Sequence, residues 1–360
     1  MTKRILIDAR EFKKSRFTGI GRALVGIIDS LEGSNLNLKM VLAAGDKDTI
    51  PPKFHNKTKI SIKKVPNSFL ASEKALSDIS RQGFKLFISP YPKLPLFGSH
   101  CKSINTIHDV LDLTHEAYKN RPGVLFDKFR LKSAIKSASL TWYDSSWSQK
   151  ETSQLTGLSG KNPRVRYPGV DELFSTRNKV DHQNILKKYK LESGYILICG
   201  NGKSHKNLDV LLRSKGSISR QLVFVGVSEI NMKYWKRKCN TANTVWIRHI
   251  IEEDLPTVIR GAFCLAQPST AEGYGYPPLE AMSCGIPAVV SNIPVFVETT
   301  GGNAMIADPQ KCQEWIQAFK ALEDRSFYQK QVAKGLKWVE PLRGRKGWEK
   351  HISDIEELIN

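Results

Sequence analysis

The chain has 360 residues and a mass of 40.5 kDa, more than one hydrophobic core usually organises, so two domains are expected. Hydrophobic residues make up 40% and charged residues 25%, which excludes wholesale disorder, and no apolar run approaches the roughly 20 residues of a membrane-spanning helix. Lys and Arg outnumber Asp and Glu by 55 to 35, a net charge of +20 that favours polyanionic partners: nucleic acid, an anionic membrane or phosphorylated substrates.

The first half carries most of that charge, with 31 basic and 16 acidic side chains in residues 1–180. Ile5-Leu6-Ile7 is broken at once by Asp8, so no secretory signal is expected. Six cysteines, at 101, 199, 239, 264, 284 and 312, form no C-x-x-C pair and read as reduced thiols of a cytoplasmic protein.

Taken in chain order, Arg4-Ile5-Leu6-Ile7-Asp8 reads as a strand, Thr18-Gly19-Ile20-Gly21-Arg22 as a glycine turn, and Leu24, Ile27, Ile28 and Leu31 as one helical face. Short apolar runs at 39–44, 85–89, 103–107 and 140–143 continue the strand count, and strands alternating with helices imply a parallel sheet. Residues 165–190, polar and containing Pro168 and Gly169, mark a domain boundary. The pattern restarts with Tyr195-Ile196-Leu197-Ile198-Cys199-Gly200 and runs through strands at 222–227, 244–247, 263–267 and 288–291. Apolar residues at 348, 352, 355, 358 and 359 predict a packed C-terminal helix.

Chemistry concentrates in residues 263–287. A strand leads into Glu272-Gly273-Tyr274-Gly275-Tyr276-Pro277-Pro278-Leu279-Glu280, a glycine loop opening a helix, and Gly285 ends that helix. Glycines at such a position let backbone N–H groups face an anion where the helix dipole also favours phosphate. Carboxylates accept hydrogen bonds from paired sugar hydroxyls, so Glu272 and Glu280 on either side of a diphosphate suit a nucleotide sugar. In isolation the same pair reads as a solvated Glu272 and a helix-capping Glu280.

This stretch resembles the E-x7-E region of the retaining glycosyltransferases built from two Rossmann-like domains, the GT-B architecture of glycosyltransferase family 4. Similarity extends in order over Gly19-Ile20-Gly21-Arg22, Ile107-His108-Asp109, Asp144-Ser145-Ser146-Trp147-Ser148, Tyr167-Pro168-Gly169-Val170-Asp171 and residues 200–207. The resemblance implies an α/β fold of two doubly wound domains with an interdomain cleft. An acceptor-binding domain would cover 1–175 and a nucleotide-sugar-binding domain 176–345, with a helix at 346–360 packing back on the first. It further implies that Glu272 contacts the transferred sugar, Glu280 the ribose, and Gly273, Tyr274 and Gly275 the sugar or diphosphate. Lys206 would neutralise the departing diphosphate. His108 would orient donor or acceptor, and Gly19 and Gly21 would approach the donor phosphate. Where the family often has an arginine this chain has Asn201, and Lys203 or Arg22 are the cations placed to compensate.

The expected activity is metal-independent, cofactor-free transfer of a hexose, with mannose from GDP-mannose foremost, to a glycan or undecaprenyl-diphosphate-linked acceptor in bacterial surface polysaccharide biosynthesis. Two alternatives stand beside it. Asp46-Lys47-Asp48 offers a D-x-D metal pair to a single-domain GT-A transferase, and the +20 charge would suit a nucleic-acid binder, although no recognition motif for nucleic acid is present. Finally, Arg121, Lys128, Arg130, Lys132 and Lys136 interleave with Val124, Leu125, Phe126, Phe129, Leu131 and Ile135, the pattern of a helix lying on an anionic membrane. That predicts a peripheral position on the cytoplasmic face of the inner membrane.

Overall fold

The computed structural model describes residues 2–12, 18–177 and 182–360. The chain divides into two compact units, Met1–Gly169 with Gly344–Asn360, and Val170–Arg343.

The first unit is built on β1 (Lys3–Asp8), β2 (Leu38–Ala44), β3 (Ile60–Lys64), β4 (Leu86–Ser89), β5 (Lys102–Ile107), β6 (Leu140–Tyr143) and β7 (Pro163–Val165). Their order is β3-β2-β1-β4-β5-β6-β7 and every pairing is parallel, with Ile5 opposite Met40 on one side and Leu86 on the other. Because helices cover both faces, Ile5, Leu6 and Ile7 are all fully buried, which is why β1 reads as an unbroken apolar run. The order reverses between β1 and β4, and a crevice opens at the strand C-termini there.

Thr18 caps the helix Gly19–Glu32 by accepting from Gly21 N–H at 3.0 Å, and Leu24, Ile27, Ile28 and Leu31 bury its inner face. The C-terminal helix Glu349–Ile359 belongs to this unit and buries Ile355 and Ile359, each worth about 1.5–3 kcal/mol. Trp348, just before it, fills a notch that only glycines leave open: a Cβ at Gly26 or Gly169 would lie 2.3 or 2.4 Å from its ring.

The second unit repeats the winding with β8 (Tyr195–Cys199), β9 (Leu222–Val225), β10 (Thr244–Ile247), β11 (Ala262–Gln267), β12 (Ala288–Ser291) and β13 (Met305–Ala307), ordered β10-β9-β8-β11-β12-β13 and again parallel. Leu211, Phe224, Trp315 and Phe319 pack its core. Its order reverses between β8 and β11.

The expected pair of doubly wound α/β domains is what the chain forms. Three strands, β3, β7 and β13, escape the sequence pattern, and each is an edge strand. Edge strands are short and half-covered, so Ile60-Ser61-Ile62-Lys63-Lys64 needs only two inward apolar residues, and β7 begins with Pro163, tolerated where no neighbour requires its N–H. The helix Val124–Ser137 departs from the expected surface helix in a different way. Arg130 points inward with Leu131, Ala134 and Ile135, whereas Leu125, Phe126 and Phe129 point outward.

Candidate active site

In the second unit the loops leaving β8 and β11, the two strands that flank the reversal, are stitched together. Thr270 N–H donates to the His205 carbonyl at 2.8 Å, and Asn207, at a left-handed φ of 49°, donates through Nδ2 to the carbonyls of Pro268 and Pro309. This brings Lys206, in the short 3-10 turn Ser204–Lys206, to Glu272: Lys206 Nζ donates to Glu272 Oε1 at 2.6 Å. Ser269 Oγ donates to the same oxygen at 2.6 Å and Gln267 Nε2 at 3.2 Å, so three donors converge on Oε1 and none of these bonds uses Oε2. Burial would raise the Glu272 pKa, but Lys206, the Ser269 hydroxyl and nearby His205 outweigh it and hold the carboxyl below its ordinary value. Glu272 is therefore a mostly enclosed, ionised and oriented carboxylate, not a solvated one.

Gly275 caps the helix Tyr276–Ser283 at φ 94°, where a Cβ would come 2.5 Å from Phe296 Cε1. That helix ends in a Schellman motif, with Ile286 N–H bonding the Ala281 carbonyl and Gly285 N–H the Met282 carbonyl. Pro277 and Pro278 carry no N–H, so the donors available to an anion come from the loop and first helical residue. Tyr274 is buried and its carbonyl accepts from Thr299 Oγ1 at 3.0 Å, which fixes the loop from behind. Glu280 lies at the fifth helical position, 2% exposed. Gly273 is buried in the same loop.

Asn201 organises the β8 loop: its Oδ1 accepts from Lys203 N–H at 3.0 Å, and its carbonyl accepts from Asn231 Nδ2 at 2.8 Å. The Lys203 side chain is exposed. Gly200 packs against the Lys206 stem, where a Cβ would lie 3.3 Å from Cδ. Sequence reasoning missed Gln267, Ser269, Thr270 and Asn207, whose only signal is their place inside the two loops.

In the first unit Gly19 and Gly21 sit in the first turn of the helix itself, and Gly21 N–H is held by Thr18. His108 follows β5, with Nδ1 at 2.6 Å from Asp144 Oδ2 and Nε2 at 3.0 Å from the Pro90 carbonyl. Two acceptors on two ring nitrogens call for an imidazolium. Burial is the largest influence and lowers the pKa, yet the Asp144 carboxylate, the Pro90 carbonyl and Asp109 together outweigh it and push it up to about 9. His108 is thus committed on both sides, and Asp144, read only as part of a resemblance, is its partner. Where the order of this sheet reverses, a cavity of about 450 Å³ is lined by Arg10, Phe12, Asn67, Phe69, Tyr91 and Lys93.

The two doubly wound sheets leave no place for the single-domain alternative, and its D-x-D pair has a local role. Asp46 Oδ1 accepts from Asp48 N–H at 3.1 Å and caps the turn Lys47–Thr49. Among the described residues no group of three or more His, Cys, Asp or Glu is placed to hold a metal. No helix among them is long and apolar enough to cross a membrane.

Residues 181–338 match the family of glycosyl transferases group 1. The chain is 27% identical over 370 aligned positions to O-antigen chain mannosyltransferase B of Escherichia coli, covering 92% of this chain and 94% of that one. It is 29% identical over 152 positions to O-antigen chain mannosyltransferase RfbU of Salmonella typhimurium, covering 41% of this chain and 43% of the relative. Anabaena HepE, solved in complex with UDP and glucose, shares the fold with a TM-score of 0.77 at 15% identity, with 99% of each chain covered. The match over residues 181–338 and the two doubly wound parallel sheets together support a glycosyltransferase of the GT-B architecture.

Proposed function

We propose that the protein is a retaining transferase that moves mannose from GDP-mannose to a lipid-linked glycan acceptor during assembly of a bacterial surface polysaccharide. The observation that carries this reading is the convergence of Lys206, Ser269 and Gln267 on one oxygen of Glu272 where the second sheet reverses. Such a carboxylate keeps its second oxygen for sugar hydroxyls, and the adjacent ammonium meets the diphosphate as charge grows on it. The names of the two mannosyltransferase relatives favour mannose and a glycan acceptor.

In this reading Glu280 holds the ribose, the amides of Gly273, Tyr274 and Gly275 meet the sugar or diphosphate, and Asn201 shapes the loop from which Lys203 reaches the phosphates. The first unit holds the acceptor, with Gly19 and Gly21 in the first turn of its opening helix. His108 acts as a positioning residue through its bonds to Asp144 and Pro90, because neither nitrogen remains for a hydroxyl. Transfer needs no protein nucleophile and no bound metal, and takes place on the cytoplasmic face of the inner membrane.

Thermal unfolding against GDP, UDP and their mannose and glucose conjugates tests the donor, since a ligand stabilises the native state in proportion to its occupancy. Stabilisation by GDP-mannose is expected. Stabilisation by UDP-glucose alone would replace the donor and leave the transferase.

A further inference from the structure

The largest departure from ordinary burial lies in the first unit. Leu125, Phe126 and Phe129 on the helix Val124–Ser137 are 83%, 44% and 61% exposed, and Phe69 and Leu70, opening the helix Phe69–Ser80, are 47% and 60% exposed. They form one patch: the rings of Phe69 and Phe126 meet edge-on at 6.2 Å, and the Arg130 guanidinium sits 5.5 Å from the Phe69 centroid. Isolated exposed apolar residues are ordinary, whereas a contiguous patch of this kind marks an interaction surface.

The patch rests on a rigid base. Buried Arg130 donates through Nη2 to Glu73 Oε2 at 2.6 Å and to the Leu94 carbonyl at 2.7 Å, while Leu96 N–H donates to the same Glu73 oxygen at 2.9 Å. One ion pair thereby locks both helices and the loop after β4, and that loop adds exposed Leu96 and Phe97 nearby. The inward turn of Arg130 explains why the helix shows Leu125 and Phe129 outward: its polar residue serves the interior and its apolar ones do not.

Beside the apolar row runs a basic one. Lys128, Lys132 and Lys136 follow each other at intervals of four along the helix, and Lys74 lies one turn beyond Leu70. The acidic residue of the helix, Asp127, is paired with Arg121 at 2.6 Å. A second copy of this chain would bring two such lysine rows together, and a neutral apolar partner would leave them unmatched. An anionic bilayer satisfies both rows, taking Leu125 and Phe129 below the headgroups while the lysines reach the phosphates.

We infer that this face docks the protein on anionic phospholipid, with the tips of two helices inserted. The inference deepens the proposal of a membrane-borne acceptor and rests on it for its purpose, but its test reads lipid binding without turnover. The full chain is sedimented with vesicles of phosphatidylglycerol and phosphatidylethanolamine, and separately with phosphatidylcholine, at low and high salt. Binding is expected only to the anionic vesicles, weaker at high salt. It should fall roughly tenfold or more in Leu125→Ser/Phe129→Ser and in Lys132→Glu/Lys136→Glu, and stay unchanged in Ile230→Ser, an exposed apolar residue of the second unit. Tryptophan fluorescence of Phe129→Trp should shift to the blue on anionic vesicles. Equal binding of the variants, or equal binding to phosphatidylcholine, would overturn the inference. So would a wild-type dimer that Leu125→Ser/Phe129→Ser disperses, since the face would then belong to a second copy. Retained transfer to a soluble acceptor analogue in a variant that has lost the vesicles separates this result from any failure of the transferase reading.

Discussion

Trp142 and Asp354 lie 212 positions apart and are joined by a 2.8 Å hydrogen bond from the indole Nε1 to Oδ2. The same carboxylate takes two 2.8 Å bonds from Arg166 and one from Arg164, so a single buried acid ties β6 and β7 to the C-terminal helix. Replacing Asp354 with Ala strands an indole N–H and takes the carboxylate from Arg166 and Arg164, which are about one-fifth exposed, although Arg164 keeps its ion pair with Glu357. Partial solvation limits the loss to about 2–3 kcal/mol. Denaturant unfolding should show that loss, with Asp354→Asn intermediate because it keeps a neutral acceptor.

The pH dependence of the first unit should be set from both sides by histidines. Burial against Trp142 and Trp348, only partly offset by Asp354 and reinforced by Arg166, pushes the His351 pKa down to about 3. Below 6.5 the unfolded chain takes up a proton that the folded chain refuses, so stability falls on acidification by up to about 1.4 kcal/mol per pH unit. His108 acts in the opposite sense: its folded pKa near 9 adds stability that is complete below 6.5 and is lost as pH rises through 9. Unfolding measured from pH 4 to pH 10 should peak near 6.5. His351→Phe should flatten the acid limb and His108→Gln the alkaline one.

Gly275→Ala asks a β-carbon to occupy a left-handed position 2.5 Å from a carbon of Phe296. Phe296 is fully buried, so the ring has nowhere to retreat. The substitution should cost about 2–4 kcal/mol and displace the loop that carries Glu272. Gly275→Ala/Phe296→Leu should recover part of the activity lost by Gly275→Ala, measured as turnover at saturating donor, because the clash is relieved while the backbone strain stays.

Central strands were legible because burial on both faces writes them as unbroken apolar runs, as in Ile5-Leu6-Ile7 and Tyr195-Ile196-Leu197-Ile198. The glycines that end or open helices were legible too, since Gly275 and Gly285 sit at left-handed φ values of 94° and 75°. Arg130 was misplaced because the residue that turns it inward, Glu73, is 57 positions away on another helix. The pairing of Lys206 with Glu272 spans 66 positions and depends on β8 lying beside β11, a fact of strand order that local spacing does not encode. Motif chemistry located the two residues, and only topology joined them.

That junction makes a prediction which separates structure from catalysis. Lys206→Met removes the cation bonded to an enclosed carboxylate, so the Glu272 pKa should rise and the unfolding temperature should fall. Glu272→Gln leaves the ammonium without its anion and should destabilise in the same way. The double variant Lys206→Met/Glu272→Gln contains neither stranded charge, and its unfolding temperature should return most of the way to wild type. Turnover should follow a different course. If Lys206 stabilises charge on the departing diphosphate and Glu272 holds the transferred sugar, each single variant should lose about 10²-fold in kcat, and the double variant should recover none of it. Donor titrations of initial rate, beside unfolding curves on the same preparations, read both quantities. A double variant that regains stability and turnover together would show that the ion pair only braces the two loops, and that the diphosphate is neutralised elsewhere.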